Sequence, residues 1–199
     1  MENKYELTNE TKNFYGITLH RIRALRDIPS AGVKTGDLGG WIEKEHNFSQ
    51  YGNAWVYGNA RVYGNAEVYG DALVYGDALV CGNARVYGNA EVYGDAWVYG
   101  DALVYGNALV CGNAKVYGNA RVCGDADYMV IKNTWSSGRW FTYTRSNQKW
   151  AVGCFYGTGK ELIKKAYADS VVSGKCYEAI VRAVETIEAA KAKAKGEMK

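Results

Sequence analysis

The sequence predicts a mainly β protein organised around a β-helix, because one short repeat fills the middle of the chain. Between Tyr51 and Val122 the hexapeptide Y/C-G-N/D-A-x-V occurs twelve times in succession without an insertion. Gly followed by Asn or Asp is typical of a turn, since both residue types tolerate positive φ. Between turns, A-x-V-Y has the alternation of a short strand, with Ala and Val on one face. A chain that alternates short strands and corners in this way winds into a solenoid.

The hexapeptide resembles the repeat of left-handed parallel β-helices, in which an aliphatic residue recurs every six positions and a small residue stands two positions before it. Val56, Val62 and their successors would fill the aliphatic lane, and Ala54, Ala60 and their successors the small lane. The resemblance implies a left-handed winding with three hexapeptides, about eighteen residues, in each triangular coil. The repeat would then make about four coils, with neighbouring strands ~4.8 Å apart.

Residues eighteen apart would stack in such a coil, which predicts ladders of similar side chains. One lane contains Tyr51, Tyr69, Tyr87 and Tyr105. We expect the tyrosine ladders to stiffen the solenoid, and the alternative is a flat aromatic platform for sugars or bases. The ladder of Asn and Asp residues is expected to supply hydrogen bonds at the corners rather than cation sites.

The free position x decides the character of the outer faces, because the repeat does not dictate it. One lane, with Glu67, Arg85, Leu103 and Arg121, has the composition of a solvated face. Apolar side chains on the other two lanes would be exposed on a lone solenoid, which is uncommon without a partner. Either the C-terminal segment folds back over them or they form a subunit interface, and the family resemblance favours a homo-oligomer, a trimer in particular. These apolar residues are Trp55, Leu73, Leu79, Trp97 and Leu109.

Residues 1–50 are predicted to form an N-terminal β cap, because an open solenoid end invites stacking into fibres. YELT and ITLHRIRAL have strand character, and Pro29 fits a turn. Ile42 and Phe48 stand twelve and six positions before Ala54. We therefore expect them to continue the inward small lane with larger side chains that plug the end. The β-helix would span residues 51–126.

Residues 127–199 are predicted to form a C-terminal α+β module. DYMVIKN, RWFTYTR and KWAVGCFYG predict a three-stranded meander, with SNQ as one hairpin turn. GKELIKKAYAD and KCYEAIVRAVETIEAAKAKAK predict two helices, the second with Ser173 as a candidate N-cap. Its apolar stripe follows helical spacing. The stripe consists of Tyr177, Ile180, Val184 and Ile187.

The unrepeated flanks carry a second resemblance. GDLGGWIEKEHNFSQ before the repeat and RWFTYTRSNQKWAVGCFYGTGKELIKKA after it are similar to segments of uncharacterised proteins common in bacterial phages and prophages. This resemblance extends over almost the whole chain. It implies an origin and does not imply an activity.

Charge is unevenly distributed along the chain. The net charge is +3, but residues 127–199 carry thirteen basic and seven acidic side chains. We therefore expect any anionic partner to contact the C-terminal third. The sequence shows no apolar run that would span a bilayer, no hydrophobic signal segment and no C-x-x-C pair among its five cysteines. These features predict a soluble protein of the host bacterial cytoplasm, with reduced cysteines and no membrane partner.

Residues suited to catalysis are scarce. Hexapeptide β-helices are best known as acyltransferases that use acetyl-CoA or acyl carrier protein, and they usually need a histidine as general base. The sequence contains two histidines, His20 and His46, both in the predicted cap. His46, near Glu43 and Glu45, is the better candidate for a base. Two histidines and scattered cysteines make no metal-ligand set, so we expect neither a metal nor a cofactor.

A binding site is predicted in the meander, where cationic and aromatic side chains alternate. Strand alternation places the odd-numbered residues from 139 to 145 on one face and Trp140 on the other. Such a face suits stacking on bases or contact with an acidic protein surface. The alternative is that one of these faces packs on the helices. The candidate binding residues are Arg139, Trp140, Phe141, Tyr143, Arg145, Lys149 and Trp150.

Three functions compete on these grounds. The first is a non-catalytic binding protein of phage or prophage type, whose rigid β-helix presents the basic aromatic module to a host protein, a nucleic acid or a nucleotide, for example to counter host defence. The second is a CoA-dependent acyltransferase with His46 as general base. The third is a structural assembly unit, although charged faces and elaborate caps argue against open-ended stacking.

Overall fold

The structure, a computed structural model, describes residues 3–197. Within these residues an N-terminal β region leads into a three-sided solenoid, and an antiparallel meander and two helices follow. The N-terminal region contains β1 (Tyr5–Phe14), β2 (Ile17–Ala24) and β3 (Leu38–Ile42). The solenoid strands are β4 (Trp55–Val56), β5 (Arg61–Val62), β6 (Glu67–Val68), β7 (Leu73–Val74), β8 (Leu79–Val80), β9 (Arg85–Val86), β10 (Glu91–Val92), β11 (Trp97–Val98), β12 (Leu103–Val104), β13 (Leu109–Val110), β14 (Lys115–Val116) and β15 (Arg121–Val122). The C-terminal module contains β16 (Tyr128–Lys132), β17 (Trp140–Thr144), β18 (Lys149–Val152), β19 (Phe155–Gly157), α1 (Gly159–Asp169) and α2 (Val171–Glu197).

The solenoid repeats every eighteen residues, as the family resemblance implied. Each strand pairs in parallel with the strand one coil further on, so that Trp55 lies opposite Leu73, and Leu73 opposite Glu91. The strands line the three sides of the coil. The alanine and valine of every full repeat are buried at 0 % exposure, which confirms both predicted lanes. The left-handed sense of the winding stays a prediction.

In the described chain a further coil precedes the repeat, so the solenoid has about five coils where about four were predicted. β3 pairs in parallel with β5, with Ile42 opposite Val62, and Phe48 forms a bridge with Val68. Ile42 and Phe48 therefore continue the valine lane, and their predicted place in the alanine lane is wrong. The offset here is twenty residues because two additional residues stand between Phe48 and the first repeat.

A glycine pair allows β3 to lie close to the first repeats. A Cβ atom on Gly39 would stand 2.6 Å from the carbonyl oxygen of Val56, and one on Gly40 would stand 2.8 Å from that of Ala60. Both distances are too short for a side-chain carbon. The close approach of backbone to backbone therefore requires both glycines of GDLGGWIE.

Side chains stack along the solenoid as predicted. The rings of Tyr69 and Tyr87 are parallel within 2°, with 4.9 Å between their centroids, and those of Tyr87 and Tyr105 within 9° at 5.3 Å. At the corners, Asn53 Nδ2 donates to Asp71 Oδ1 at 2.8 Å, and other corners repeat this bond. Stacked rings and corner hydrogen bonds together tie each coil to the next.

The alanine carbonyl oxygens of the repeat point towards the N-terminal end of the solenoid. Inside the stack, the N–H of Trp55 donates at 3.0 Å to the alanine carbonyl one coil further on, and the same bond recurs along each side. The first coils therefore have acceptors without a preceding coil. Donor side chains satisfy them: Lys4 Nζ donates to Ala54 O at 3.0 Å, and Asn47 Nδ2 donates to Ala66 O at 2.9 Å.

The N–H groups of the x positions point towards the C-terminal end for the same reason, and acceptor side chains of the C-terminal module bind two of them. The N–H of Lys115 donates to Thr142 Oγ1 at 2.9 Å, and the N–H of Arg121 donates to Ser146 Oγ at 2.7 Å. The module is thus a cap whose chemistry matches the end that it covers.

The meander has one strand more than predicted. KWAVGCFYG divides into β18 and β19 because Gly153, at φ +58°, turns the chain after Val152. The sheet order β16-β17-β18-β19 is antiparallel throughout. α1 has the predicted bounds, and the hydroxyl of Thr158 caps it by accepting from the Glu161 N–H at 3.3 Å.

α2 begins earlier than predicted. Its first residue is Val171, and Ser170 Oγ accepts from the Ser173 N–H at 3.0 Å. Ser170 is therefore the cap, and the prediction of Ser173 is wrong. The buried stripe shifts as well: Val181 is 0 % exposed and Ile187 is 39 % exposed.

No helix in the described part of the chain is long and apolar enough to cross a membrane. The five cysteines are free thiols.

The stacked corners generate a stability prediction. Gly88 has φ +70°, and a Cβ there would lie 3.0 Å from the backbone nitrogen of Gly106, whereas Gly112 has φ +60° and open space around such a Cβ. Both alanine substitutions incur positive-φ strain of about 1–2 kcal/mol. We expect Gly88→Ala to lower the free energy of unfolding by roughly 1 kcal/mol more than Gly112→Ala, because only Gly88→Ala also displaces the next coil. Urea denaturation of both variants measures the difference, and equal losses would contradict the tight stacking of the corners.

Lys4 is a buried cation at the N-terminal end. Its side chain is 0 % exposed, and its Nζ lies 3.9 Å from the centroid of the Phe48 ring. Burial, together with the nearby charge of Arg26, lowers the pKa of Lys4 from 10.5 to about 7. Between these two pKa values the unfolded chain binds more protons than the folded chain, so stability rises with pH across that window.

We expect the free energy of unfolding to rise by up to about 1.4 kcal/mol per pH unit between pH 7 and pH 9 through this group. Lys4→Met should remove that contribution and flatten the dependence. Urea denaturation of both proteins at intervals across this range gives the two slopes. Identical slopes would show that Lys4 keeps its proton in the folded protein.

Candidate functional site

The predicted binding face of the meander is divided between the core and the surface. Phe141, Tyr143 and Trp150 lie in one cluster with side chains of α1 and α2, at 0 %, 9 % and 2 % exposure. The Phe141 ring meets the Tyr177 ring edge-on, with 4.7 Å between centroids. These aromatic side chains hold the helices on the sheet and offer no free ring face to a base. For these residues the alternative interpretation, packing on the helices, is the one that the structure shows.

Arg145 belongs to the same interface. Its Nε and one terminal nitrogen donate to the two oxygens of Glu188 in α2 at 2.8 and 2.9 Å, and this pairing raises the pKa of Arg145. At the other end of β17, Arg139 and Trp140 are exposed, and Lys132 Nζ lies 4.8 Å from the centroid of the Trp140 ring. The predicted residues therefore do not form one continuous surface.

The opposite face of β17 packs on the last coil of the solenoid. Thr142 and Thr144 are 1 % and 3 % exposed. Nearby, the Tyr156 hydroxyl donates to the carbonyl of Tyr117 at 3.1 Å, and their ring centroids are 4.2 Å apart. β17 is covered on both sides, because it lies between the solenoid end and the helices.

The predicted apolar outer face is largely covered within the chain. Trp55 and Leu79 are 1 % and 4 % exposed, Leu73 and Leu109 are half-buried, and Trp97 is 42 % exposed. Trp55 belongs to the core cluster that includes the N-terminal region. The N-terminal region, and not the C-terminal segment, thus covers this end of the face. The homo-oligomer stays a prediction, with Trp97 as the exposed residue of this set.

A groove of about 630 Å³ opens where the solenoid meets the C-terminal module, and we name it the junction groove. Its cations are Arg85 and Arg121 of the solenoid and Lys149 of β18. Among the described side chains, none of these three has a carboxylate partner within 4.0 Å. Asp101 also lines the groove, where its Oδ1 accepts from Asn83 Nδ2 at 2.9 Å. The remaining lining residues are Leu103, Asn119, Ser146 and Asn147.

The cations of the junction groove are held in a fixed arrangement. Leu103 pairs with Arg85 on one side and with Arg121 on the other, so the two arginines stand two coils apart, about 10 Å along the solenoid. Asn147 Nδ2, on the module side, donates to Asn119 Oδ1 at 3.3 Å and to the Tyr156 hydroxyl at 3.0 Å. These bonds join the two walls of the groove.

A second groove, of about 920 Å³, lies at the N-terminal end of the same lane, and we name it the Tyr69 groove. Glu67, which pairs with Arg85 in the next coil, lines it together with Tyr51 and Tyr69. His46 lies here too, with its Nε2 3.7 Å from Glu67 Oε1. One solenoid lane thus joins the two grooves, and the ladder that begins at Tyr69 runs beside it.

The carboxylates expected beside His46 are placed differently. Glu45 lines the same groove, but Glu43 Oε2 accepts from the Gly64 N–H at 2.6 Å. Within the described residues, no three His, Cys, Asp or Glu side chains are grouped closely enough to hold a metal ion.

Arg85 and Arg121 line the junction groove but are absent from the residues predicted for binding, although the eighteen-residue period places them on one lane. On a solenoid without its cap, the composition of that lane indicates a solvated face. The fold adds Ser146, Asn147 and Lys149 to the lane from a segment that follows the repeat, and no spacing within the repeat predicts this.

Comparison with protein families supports the repeat. Five segments of the chain match the family model described as the YdcK beta solenoid repeat: residues 54–68, 66–82, 78–94, 84–100 and 96–112. The chain is similar to that repeat over this part of the solenoid. A search of curated proteins found no match.

Because Arg145 is paired with Glu188 and Arg139 is exposed, we predict that their substitution affects stability differently. Arg145→Glu would place a carboxylate against Glu188 in a partly buried site, and we expect a loss of about 2 kcal/mol in the free energy of unfolding. The matched control, Arg139→Glu, changes an exposed residue and should stay within about 0.5 kcal/mol of the parent protein. Thermal or urea denaturation compares them. If Arg145→Glu were as stable as Arg139→Glu, the ion pair would not hold α2 to the sheet.

Proposed function

We propose that this chain is a non-catalytic binding protein that holds a phosphate-bearing partner, either a nucleotide or a single-stranded nucleic acid, in the junction groove. The observation that carries the proposal is the set of three cations, Arg85, Arg121 and Lys149, which line one open groove without carboxylate partners among the described side chains. Unpaired cations at one site repel each other, and an anionic partner removes that repulsion.

The chemistry of the groove suits phosphate. Arginine presents a planar fork of donors that matches phosphate oxygens, and lysine adds a point charge. Arg85 is exposed and Lys149 is half-buried, so both side chains reach solvent at the groove. Hydroxyl and amide groups of Ser146 and Asn147 stand beside them. The tyrosine ladder along the same lane supplies the aromatic component that single-stranded nucleic acids use for stacking.

The source of the partner is proposed from the flanks. Their resemblance to proteins of phages and prophages favours a bacterial host as the source of the nucleotide or nucleic acid. Sequestration of such a molecule would be one way to counter host defence. The cytoplasm is the compartment where this binding would occur.

A second candidate function is CoA-dependent acyl transfer with His46 as general base. The contact between His46 and Glu67 favours it, since a carboxylate orients a histidine for proton transfer. Release of free thiol from acetyl-CoA in the presence of hydroxyl or amine acceptors, abolished by His46→Ala, would support this candidate. We expect no thiol release above background.

We expect a fluorescein-labelled deoxyadenosine octanucleotide, or ATP as its competitor, to bind at low salt with an affinity that falls steeply as salt rises. The triple variant Arg85→Glu/Arg121→Glu/Lys149→Glu should bind at least about tenfold more weakly and with a shallower salt dependence. Fluorescence anisotropy measures both quantities.

The matched control replaces three exposed lysines of the helices, Lys164→Glu/Lys165→Glu/Lys175→Glu, and so changes the net charge by the same amount. We expect its affinity to stay close to that of the parent protein. Competition by ATP would indicate a nucleotide partner, and binding of the octanucleotide without competition would indicate a nucleic acid. Equal binding by both triple variants, or no binding of either probe, would refute the junction groove as the site.

A further inference from the structure

The ladder of rings that begins at Tyr69 leaves the outer face of the Tyr69 ring uncovered. We infer that the position above this face, which we name the open rung and which lies in the Tyr69 groove, is a binding site for a nucleobase. The inference rests on the proposed function, because the same lane leads from Tyr69 to the cations of the junction groove. It assigns a site to the base of the ligand, whereas the cations recognise its phosphate.

The open rung results from the change of register before the repeat. In the solenoid, the N–H groups of the first-position tyrosines from Tyr57 to Tyr105 donate to valine carbonyls in the next coil. The Tyr69 N–H, for example, donates to Val86 O at 3.1 Å, and the Tyr69 ring stacks on Tyr87. Ahead of Tyr69, the residue in the equivalent position is Ser49, whose N–H donates to Val68 O at 3.0 Å. A serine therefore occupies the rung where a tyrosine ring would stand.

The side chain of Ser49 is too small to cover the outer face of the Tyr69 ring. Tyr51, which the sequence spacing places on this lane, stands outside the ladder at 69 % exposure and lines the same groove. The Tyr51 N–H donates to Ser49 Oγ at 3.0 Å, which fixes the small residue in the rung. Among the described residues, the Tyr69 ring therefore has Tyr87 as its ring partner on one face and a groove on the other.

The other ladders are closed at their N-terminal ends. The Phe14 ring packs edge-on against Tyr63, with 5.8 Å between centroids. The Tyr57 hydroxyl donates to the carbonyl of Ala31 at 2.5 Å, and the Tyr57 ring covers Tyr75 edge-on at 6.3 Å. The N-terminal region thus covers two of the lanes with its own side chains and leaves a groove over the third.

A flat neutral ring fits the open rung. The neighbouring rungs are parallel rings 4.9 Å apart, so a planar group can continue the stack with Tyr69, and stacking of bases on aromatic side chains tolerates any base. The carboxylates of Glu45 and Glu67 line the groove and would repel a phosphate. They suit the amino group at the edge of a base, since carboxylates accept from such donors.

Arg26 does not make the Tyr69 groove a second phosphate site. One of its terminal nitrogens donates to Gly52 O at 2.8 Å and the other to Asp27 O at 3.2 Å, so the guanidinium is engaged by backbone carbonyls. The lane is therefore acidic and aromatic at the N-terminal end and cationic towards the junction groove. A nucleotide has the complementary polarity, with a donor-bearing base at one end and phosphate at the other.

The spacing along the lane agrees with this orientation. Glu67 and Arg85 are paired in neighbouring coils, and Arg121 lies two coils beyond Arg85. At ~4.8 Å per coil, the span from Glu67 to Arg121 is about 14 Å. A base stacked on the outer face of Tyr69 would stand one coil before Glu67, and so about 10 Å along the solenoid from Arg85. The long Arg85 side chain would extend towards its phosphate, and an oligonucleotide could continue to Arg121.

The test uses nucleosides, which lack phosphate and report on the base site alone. Saturation-transfer NMR of cytidine and of uridine with the full chain measures binding, and cytidine should bind more tightly because it carries an amino group where uridine has a carbonyl. Ser49→Tyr fills the open rung with the side chain that the ladder lacks. We expect Ser49→Tyr to fold normally and to weaken cytidine binding at least fivefold, and Tyr69→Leu to weaken it to a similar extent.

Tyr75→Leu is the matched control, since it removes a tyrosine from a ladder whose end is covered, and it should leave cytidine binding unchanged. Glu67→Gln should reduce the preference for cytidine over uridine. The triple variant of the junction groove should keep cytidine binding while losing the octanucleotide, which separates the two proposals. If Ser49→Tyr binds cytidine as well as the parent protein, or if the parent protein binds the octanucleotide but neither nucleoside, the base site is refuted while the junction groove stands.

Discussion

Parallel hydrogen bonding between residues one coil apart is the constraint on which the rest of this molecule depends. The register of eighteen residues superimposes the alanines and valines of the repeat on their successors, and it stacks tyrosine rings wherever tyrosine recurs from Tyr57 onwards. The interior lanes contain alanine and valine, so the core is narrow. Its stability therefore depends on contacts between successive coils more than on the burial of large side chains. The hydrogen bonds also give the stack a direction, because the alanine carbonyls point towards one end and the N–H groups of the x positions towards the other. Each cap is built for the polarity of the end that it meets.

In the C-terminal module, several residues that the sequence predicts for binding are buried in the contacts that form the cap. β17 touches the last coil through Thr142 and the helices through Phe141, so both of its faces lie in interfaces. Its aromatic and cationic alternation, which is typical of a nucleic-acid platform, serves here to join two layers. The cations that we propose for recognition lie at the edge of the cap, where Lys149 lines one groove with Arg85 and Arg121 of the solenoid.

The repeat made most of the fold predictable. Twelve nearly identical hexapeptides leave little freedom, so the lanes, the tyrosine stacks and the corner bonds follow from the spacing. The first coil was not predicted correctly because Ile42 and Phe48 also stand at multiples of six from Ala54. The pairings of Ile42 with Val62 and of Phe48 with Val68 reveal the two additional residues that place Ser49 in the rung above Tyr69. For β17, alternation identified two faces but could not tell which neighbour each face would meet, since those neighbours are distant in sequence.

The three hexapeptides of each coil also set the angle of the C-terminal module about the solenoid axis. Gain or loss of a whole coil would lengthen or shorten the rod by about 4.8 Å without turning one cap relative to the other. Gain or loss of a single hexapeptide would rotate the C-terminal module by roughly a third of a turn. Lys149 would then face a different lane, and Arg85 and Arg121 would lose their neighbour from the cap. The number of hexapeptides therefore fixes the angle between the two caps. A chain of this design can change in length by whole coils and keep that angle, whereas any other change in copy number alters it.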